Sequence, residues 1–201
     1  DIKTIAKFGM EATLSLIKST LNDAKISFDY FVSEKSLIGG LSDVLEKLEK
    51  NNAIYKQDSK IWLKSSLKGD EKDRVIIRES GEPTYLAGDI IYHNNKFERQ
   101  YDSYINIWGA DHHGHVARMK GAMDAVGMDG NKLNVVLMQL VRLVRDGEIV
   151  RMSKRSGKAI QLSDLLDEVP VDAARFFFNQ REANTQMEFD LGLAIEQSSS
   201  N

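Results

Sequence analysis

Between Tyr104 and Leu137 the chain passes from a strand-like run through a glycine-bounded turn and a helix into a second strand-like run. That order restricts the fold more than any other stretch. Tyr104-Ile105-Asn106-Ile107-Trp108 predicts a strand, and Gly109 to Gly114 predicts its exit loop. Val116, Met119, Met123 and Val126 then mark the apolar face of a helix, and Leu133 to Leu137 predicts the next strand. Strands joined through a helix pair in parallel, and the functional loops of such a sheet lie beyond the carboxyl ends of its strands. The expectation is an α/β fold, mostly parallel sheet flanked by helices.

The flanking patterns fill in the rest. Met10, Leu14, Ile17 and Leu21 recur at helical spacing within residues 9–22, and residues 26–32 read as extended or irregular. Ser42 can cap a helix through Val44, Leu45, Leu48 and Lys50, which Asn51-Asn52 ends. Short strands at 53–55, 60–63 and 74–78, separated by turn residues, predict a small antiparallel feature at the edge of the larger domain. Tyr85 to Phe97 predicts a helix after the turn at Glu79 to Pro83. Met138 to Val144 and Glu148 to Val150 predict short strands, Ser163 a cap for a helix over 164–169 ended by Pro170, and Val171 to Arg181 a further helix. The segments proposed are 1–52, helical; 53–82, antiparallel; 83–150, α/β; and 151–201, a basic loop with a helical connector.

Composition excludes several classes. With 201 residues, 42% apolar and 28% charged, the chain suits one substantial core of an ordinary globular protein. No apolar run approaches the ~20 residues that span a bilayer. The absence of cysteine removes disulfides, thiolate catalysis and thiolate metal sites. A formal net charge of -3 speaks against a chain dedicated to gripping nucleic acid, so any RNA contact is expected to be local or to use other parts. The start at Asp1, without Met or signal-peptide segment, reads as a trimmed or excised piece.

Three constellations carry chemistry. In Arg151-Met152-Ser153-Lys154-Arg155-Ser156-Gly157, Lys154 offers a compact point charge for phosphate oxygens, and Arg151 and Arg155 offer donor forks. Ser153 and Ser156 add donors and Gly157 permits close backbone approach; the alternative is a solvated basic turn. All 4 histidines fall between 93 and 115, as His93, His112, His113 and His115. Their spacing matches no strong metal motif, so no protein-ligated metal is expected. Pocket lining after a strand fits better: Gly109 would admit a nucleoside, Asp111 would accept from ribose hydroxyls, and amides of the following helix would meet an anion. Imidazoles acting as hydrogen-bond partners at the helix start are the structural alternative. Finally, Tyr85, Asp89 and His93 recur every four residues, with Tyr92 adjacent. A carboxylate beside an aromatic ring suits a guanidinium, which can pair with the one and stack on the other. A solvent-facing stripe of helix-surface pairs explains the same spacing.

Thr84 to His93, Lys96-Phe97-Glu98-Arg99, Ile107 to Gly114, Arg151 to Gly157 and Asp172 to Phe178 together resemble bacterial-type arginyl-tRNA synthetases of class I, in the expected order. Phe31 to Leu37 and Gly69 to Val75 fit as well. The resemblance implies part of a Rossmann-like class I catalytic domain. It puts the second lysine of the family's KMSK-type signature at Lys154, facing ATP phosphates, and Arg151 in place of the first. It also implies arginine recognition by Tyr85, Asp89 and His113, and ATP binding by Gly109, Asp111, His112, Met152, Ser153, Lys154 and Arg155. Gly88, Ile91 and Gly192 depart from the family's usual residues, and the HIGH-type signature is not found before Tyr85.

The activity so implied is ATP-dependent ligation of L-arginine to tRNA(Arg) through an arginyl-adenylate. Magnesium accompanies ATP, and the location is cytoplasmic with no membrane role. The implied partners are arginine, ATP, tRNA(Arg) and the remainder of the synthetase. The stretch is expected to be inactive alone and to expose a former interface that self-association could cover. Two alternatives stand beside this reading: the nucleotide-binding portion of another class I synthetase, and a non-catalytic interaction module. A P-loop kinase is disfavoured, since no Walker sequence is present.

Overall fold

The computed structural model describes residues 1–151 and 160–196. Met152 to Ala159, which include Ser153, Lys154 and Arg155, lie outside the described residues. The helices are α1 (Ile2–Asp23), α2 (Glu34–Leu37), α3 (Leu41–Lys50), α4 (Tyr85–Phe97), α5 (His113–Val126), α6 (Leu162–Glu168), α7 (Val171–Asn179) and α8 (Leu191–Ile195). The strands are β1 (Ile54–Gln57), β2 (Lys60–Leu63), β3 (Arg74–Ile77), β4 (Tyr104–Gly109), β5 (Leu133–Met138), β6 (Val141–Arg145), β7 (Glu148–Ile149) and β8 (Met187–Asp190). They form an α/β fold of two compact units, one of residues 31–138 and the other of 1–30 with 139–201. These units cut the chain at places other than the four segment boundaries drawn from sequence.

In the 31–138 unit, β1, β2 and β3 make an antiparallel sheet, and β4 pairs in parallel with β5 from Tyr104↔Leu133 to Gly109↔Met138. The antiparallel sheet is not an appendage. Leu63, Ile76 and Ile77 are buried in one cluster with Leu48 of α3, Ile90 of α4, Met119 and Met123 of α5, and Leu133 of β5. On β4 the side chains alternate: Tyr104 and Asn106 are buried, while Ile105 and Ile107 are exposed.

Local chemistry fixes the helix ends. The Thr84 hydroxyl accepts from the Ala87 amide at 3.4 Å and donates to the Val75 carbonyl at 3.0 Å, so the cap of α4 is tied to β3. Gly127, at φ 97, ends α5, and the Met128 amide donates back to the Met123 carbonyl at 2.9 Å. This is the glycine-terminated helix end in which a left-handed residue frees the chain to turn. The Tyr104 hydroxyl donates to the Phe97 carbonyl at 3.0 Å and its ring stacks on Phe97 at 4.0 Å, fastening the exit of α4 to the entry of β4.

In the other unit, β6 pairs antiparallel with β7 and parallel with β8. Asp146 and Gly147, at φ 53 and 78, form the tight turn of the β6–β7 hairpin. Phe189 of β8 is fully buried among Leu165, Val169, Ala174 and Leu191, with the Phe177 and Phe178 rings at 5.5 and 5.1 Å. Arg175 donates to the Ala24 carbonyl at 3.1 Å, and Lys25 pairs with Asp172 at 2.7 Å, which docks the end of α1 on α7.

Several sequence expectations shift. In place of one mostly parallel sheet the described residues form three: β1–β2–β3 is antiparallel, β4–β5 is parallel and β7–β6–β8 is mixed. α1 begins at Ile2 because the Asp1 carboxylate caps it, accepting from the Lys3 amide at 3.1 Å. Gly40, not Ser42, precedes α3, and Gln161, not Ser163, caps α6 through a reciprocal bond with Asp164.

Gly121, mid-helix in α5, explains how closely that helix lies on the 65–70 turn. A Cβ there would meet Lys68 Cβ at 2.5 Å and its carbonyl oxygen at 2.7 Å. Helix propensity alone favours Gly→Ala by about 1 kcal/mol. Overpacking against backbone costs about 1–3 kcal/mol and should win. Urea unfolding of full-length Gly121→Ala protein is therefore expected to show a lower midpoint; a raised midpoint would reject this packing.

Candidate active site

Helix α4 presents its polar stripe from solvent to core. Tyr85, in the first turn, is 85% exposed; Asp89, one turn on, has a side chain 50% exposed; His93, a further turn on, is buried. A wholly solvent-facing stripe is thereby excluded. His93 Nδ1 donates to the Asp89 carbonyl at 2.7 Å, and Asn106 Nδ2 donates to His93 Nε2 at 2.6 Å. The Asn106 oxygen accepts from Lys96 Nζ at 2.5 Å. Burial pushes the pKa of His93 down, as it does that of Lys96, so the ring serves as a neutral bridge between α4 and β4.

The Asp89 carboxylate meets α5. Its Oδ2 accepts from His115 Nε2 at 3.2 Å, and the His115 side chain is 17% exposed. Oδ1 has no hydrogen-bond partner among the described residues. His115 Nδ1 in turn faces Arg118 Nη1 at 3.3 Å. The Trp108 ring lies 5.3 Å from His115, 6.2 Å from His93 and 6.3 Å from His112, so one indole connects the α4 stripe with the turn after β4.

That turn is open. Gly109 ends β4, Ala110 to His112 form a single 3-10 turn, and His113 opens α5, with Asp111, His112 and His113 all exposed. His112 Nε2 stands 3.8 Å from Asp111 Oδ2. A Cβ on Gly109 would fall 2.5 Å from Asp111 Oδ1, so glycine lets that carboxylate fold back over the strand end. No side chain caps α5, which leaves amide donors at its start for other acceptors. A cavity of about 500 Å³ lies against the first turn of α4, lined by Glu34, Arg78, Thr84, Tyr85 and Gly88 among others; Asp89 turns away from it to His115. Arg151 is exposed and belongs to the other unit. Among the described residues, no group of three His, Asp or Glu side chains could hold a metal ion. No described helix is long and apolar enough to cross a membrane.

Sequence reasoning missed the support beneath Asp89. Asp70, whose side chain is 3% exposed, accepts from Arg74 Nε and Nη2, both at 2.8 Å, and from Arg118 Nε at 2.7 Å. The i,i+3 spacing of His115 and Arg118 was visible; the long-range partner Asp70 was not. The Arg74 guanidinium holds the Asp70 carboxyl well below the usual carboxylate range against the opposing effect of burial, with Arg118 and the Glu71 amide adding to the lowering.

A carboxyl depressed in the folded state stabilises it above the unfolded pKa and ceases to do so as pH falls. Asp70→Asn is expected to cost about 1–3 kcal/mol at neutral pH. The gap to wild type should stay flat above about pH 5, begin to narrow near about pH 4 and go on narrowing as pH falls further, because the folded-state carboxyl protonates only in strong acid. Denaturant titrations across pH check this; a gap as large at about pH 2 as at neutrality would contradict it.

The family described as tRNA synthetases class I (R), catalytic domain, matches residues 8–196. An arginine–tRNA ligase of Desulfitobacterium hafniense is 55% identical over 199 residues, covering 98% of this chain and 36% of the relative. One from Nitratiruptor is 49% identical over 200 residues, covering 100% and 38%. The chain thus spans well under half the length of these curated relatives. A crystal structure named for an arginyl-tRNA synthetase of Campylobacter jejuni superposes with a TM-score of 0.94 at 48% identity, over 98% of this chain and 43% of that one. The Thermus thermophilus arginyl-tRNA synthetase, at TM-score 0.75 and 17% identity over 89% of this chain and 40% of that one, shares the fold.

Proposed function

The chain belongs to the catalytic-domain family of class I arginyl-tRNA synthetases, and from that premise we propose that the protein ligates L-arginine to tRNA(Arg) at the expense of ATP. In the first step the arginine carboxylate attacks the α-phosphate of ATP and pyrophosphate leaves, forming arginyl-adenylate. In the second a terminal ribose hydroxyl of the tRNA attacks the activated carbonyl. ATP arrives with magnesium, which offsets phosphate charge. The reaction takes place in the cytoplasm, and the stretch of chain described does not perform it alone.

The observation that carries this reading is the Asp89 carboxylate, half-exposed on α4 one turn from Tyr85, with Oδ1 uncommitted among the described residues. Side chains four apart on a helix stand about 5–6 Å apart at Cβ, a span that a guanidinium and its aliphatic stem can bridge. A carboxylate has about four acceptor positions, so the bond from His115 leaves room for paired donors from arginine. Tyr85 supplies a ring for stacking, and His113 contacts the amino-acid end. Gly109, Asp111 and His112 line the nucleoside side, where the uncapped start of α5 favours an anion.

Lys154 neutralises charge growing on the phosphates, helped by Arg151, Ser153 and Arg155, and Met152 is assigned to ATP binding with them. The segment Met152 to Arg155 lies outside the described residues, so the assignment rests on the signature those residues carry.

Two substitutions in the full-length protein, assayed by pyrophosphate exchange with tRNA present, test the two roles separately. Asp89→Asn is expected to raise KM for arginine roughly 10- to 100-fold, the worth of a charge-assisted pair, with KM for ATP near wild type. Lys154→Ala is expected to lower kcat by about 10²–10³-fold with little change in KM for arginine. Normal arginine KM in the first, or normal kcat in the second, would overturn the corresponding role.

A further inference from the structure

We propose that His115, oriented by Arg118 and Asp70, is a positioning residue that presents the Asp89 carboxylate to the guanidinium of the amino-acid substrate; this rests on the reading of Asp89 given above. The geometry runs in one direction. Asp70 is buried and its two oxygens bind both the Nε and Nη2 edge of Arg74 and the same edge of Arg118, at 2.7 and 3.4 Å for the latter. With that edge fixed, Arg118 Nη1 faces His115 Nδ1 at 3.3 Å. A guanidinium can only donate, so Nδ1 accepts and the ring carries its proton on Nε2. That proton points at Asp89 Oδ2, 3.2 Å away.

Two consequences follow for a cation bound at Asp89. First, the carboxylate is held in one rotamer before substrate arrives, so less ordering cost falls on binding. Second, the partner doing the holding is an uncharged ring. A protonated imidazole or a lysine in the same place would cancel much of the negative charge that a guanidinium needs, whereas a neutral N–H orients the carboxylate and leaves its charge in place. Arg118 thus serves through its fixed tautomeric demand, its own cation being matched by Asp70. Trp108, 5.3 Å from the His115 ring, limits the ring's tilt.

The test uses arginine KM, ATP KM and kcat of the full-length protein with tRNA present. His115→Phe keeps the ring and removes the donor; His115→Gln keeps an amide N–H at about the reach of Nε2. His115→Phe is expected to raise arginine KM about tenfold, the worth of a hydrogen bond to a charged group, with ATP KM and kcat within about threefold. His115→Gln should return arginine KM to within about threefold of wild type. In an Asp89→Asn background, His115→Phe should add less than about twofold, because a residue that acts through Asp89 has nothing left to position.

Equal losses for Phe and Gln would overturn the proposal, as would effects of His115→Phe that multiply with those of Asp89→Asn. Should Asp89→Asn raise arginine KM strongly while His115→Phe leaves it unchanged, the relay is wrong and guanidinium recognition by Asp89 stands. Unchanged arginine KM in Asp89→Asn removes both. If His115→Phe fails to fold, the Gln variant with Arg118→Lys, which keeps charge but loses the fork, gives the same readout: proper positioning by Arg118 requires a raised arginine KM in Arg118→Lys.

Discussion

The arrangement of the 31–138 unit depends on one buried anion. Asp70 is stripped of water and would be costly alone, since an isolated ionised carboxylate in a protein interior loses several kcal/mol of hydration. Two guanidinium edges and the Glu71 amide restore those bonds. The pairing is geometric as well as electrostatic: a fork meeting a carboxylate fixes the plane of each group. Arg74 belongs to β3 and Arg118 to α5, so their common partner sets the azimuth of α5 over the sheet. Gly121, three residues beyond Arg118, lets the same helix face lie directly on the Lys68 backbone. Side chains three apart share a face, and His115 is three before Arg118. Docking of α5 and aiming of His115 are thus set by one line of residues.

Helix α4 is held from the opposite direction. Thr84 bonds its first turn to β3, and Tyr104 takes hold of the carbonyl of Phe97, its last residue. Between these anchors Asp89 is gripped at two points, its carbonyl by His93 and its carboxylate by His115. Both imidazoles are constrained by groups that do not titrate near neutrality, an asparagine amide for one and a guanidinium for the other. The carboxylate therefore keeps its charge while losing its freedom, and that is the condition under which an anion discriminates a cationic head rather than merely attracting one.

Much of this was legible in local pattern. Pro83 and Thr84 mark the start of α4, and the run from Tyr85 to Phe97 carries no further breaker except Gly88, so sequence and structure agree on its bounds. The β4–α5–β5 crossover was equally plain because its apolar periods switch cleanly and Gly127 stops the helix. What failed were features whose stabilising partners are distant. Met187 to Asp190 are too short to show alternation, and β8 exists because β6 pairs with it and Phe177 and Phe178 enclose Phe189. Ser42 and Ser163 are good capping residues by type, yet the chain enters each helix two residues earlier, at Gly40 and Gln161. Asp70 read as one more charge in a polar turn, because nothing local announces that its partners lie four and forty-eight residues away.

Strand β4 shows how the fold and the site share the same residues. A strand in a parallel pair normally spends both faces on apolar packing. Here the inward face carries Tyr104, Asn106 and Trp108, each with a polar atom or a ring edge facing a group of α4 or α5, while the isoleucines point outward. A leucine at position 106 would pack but would leave His93 Nε2 buried without a donor, at a cost of about 1–3 kcal/mol, and would free the Lys96 ammonium. Asparagine satisfies a ring nitrogen with its amide and an ammonium with its oxygen, and no apolar residue can do both. The polar side of β4 is therefore the surface against which α4 is registered. The position of Asp89 follows from that registration rather than from any contact of its own with the strand.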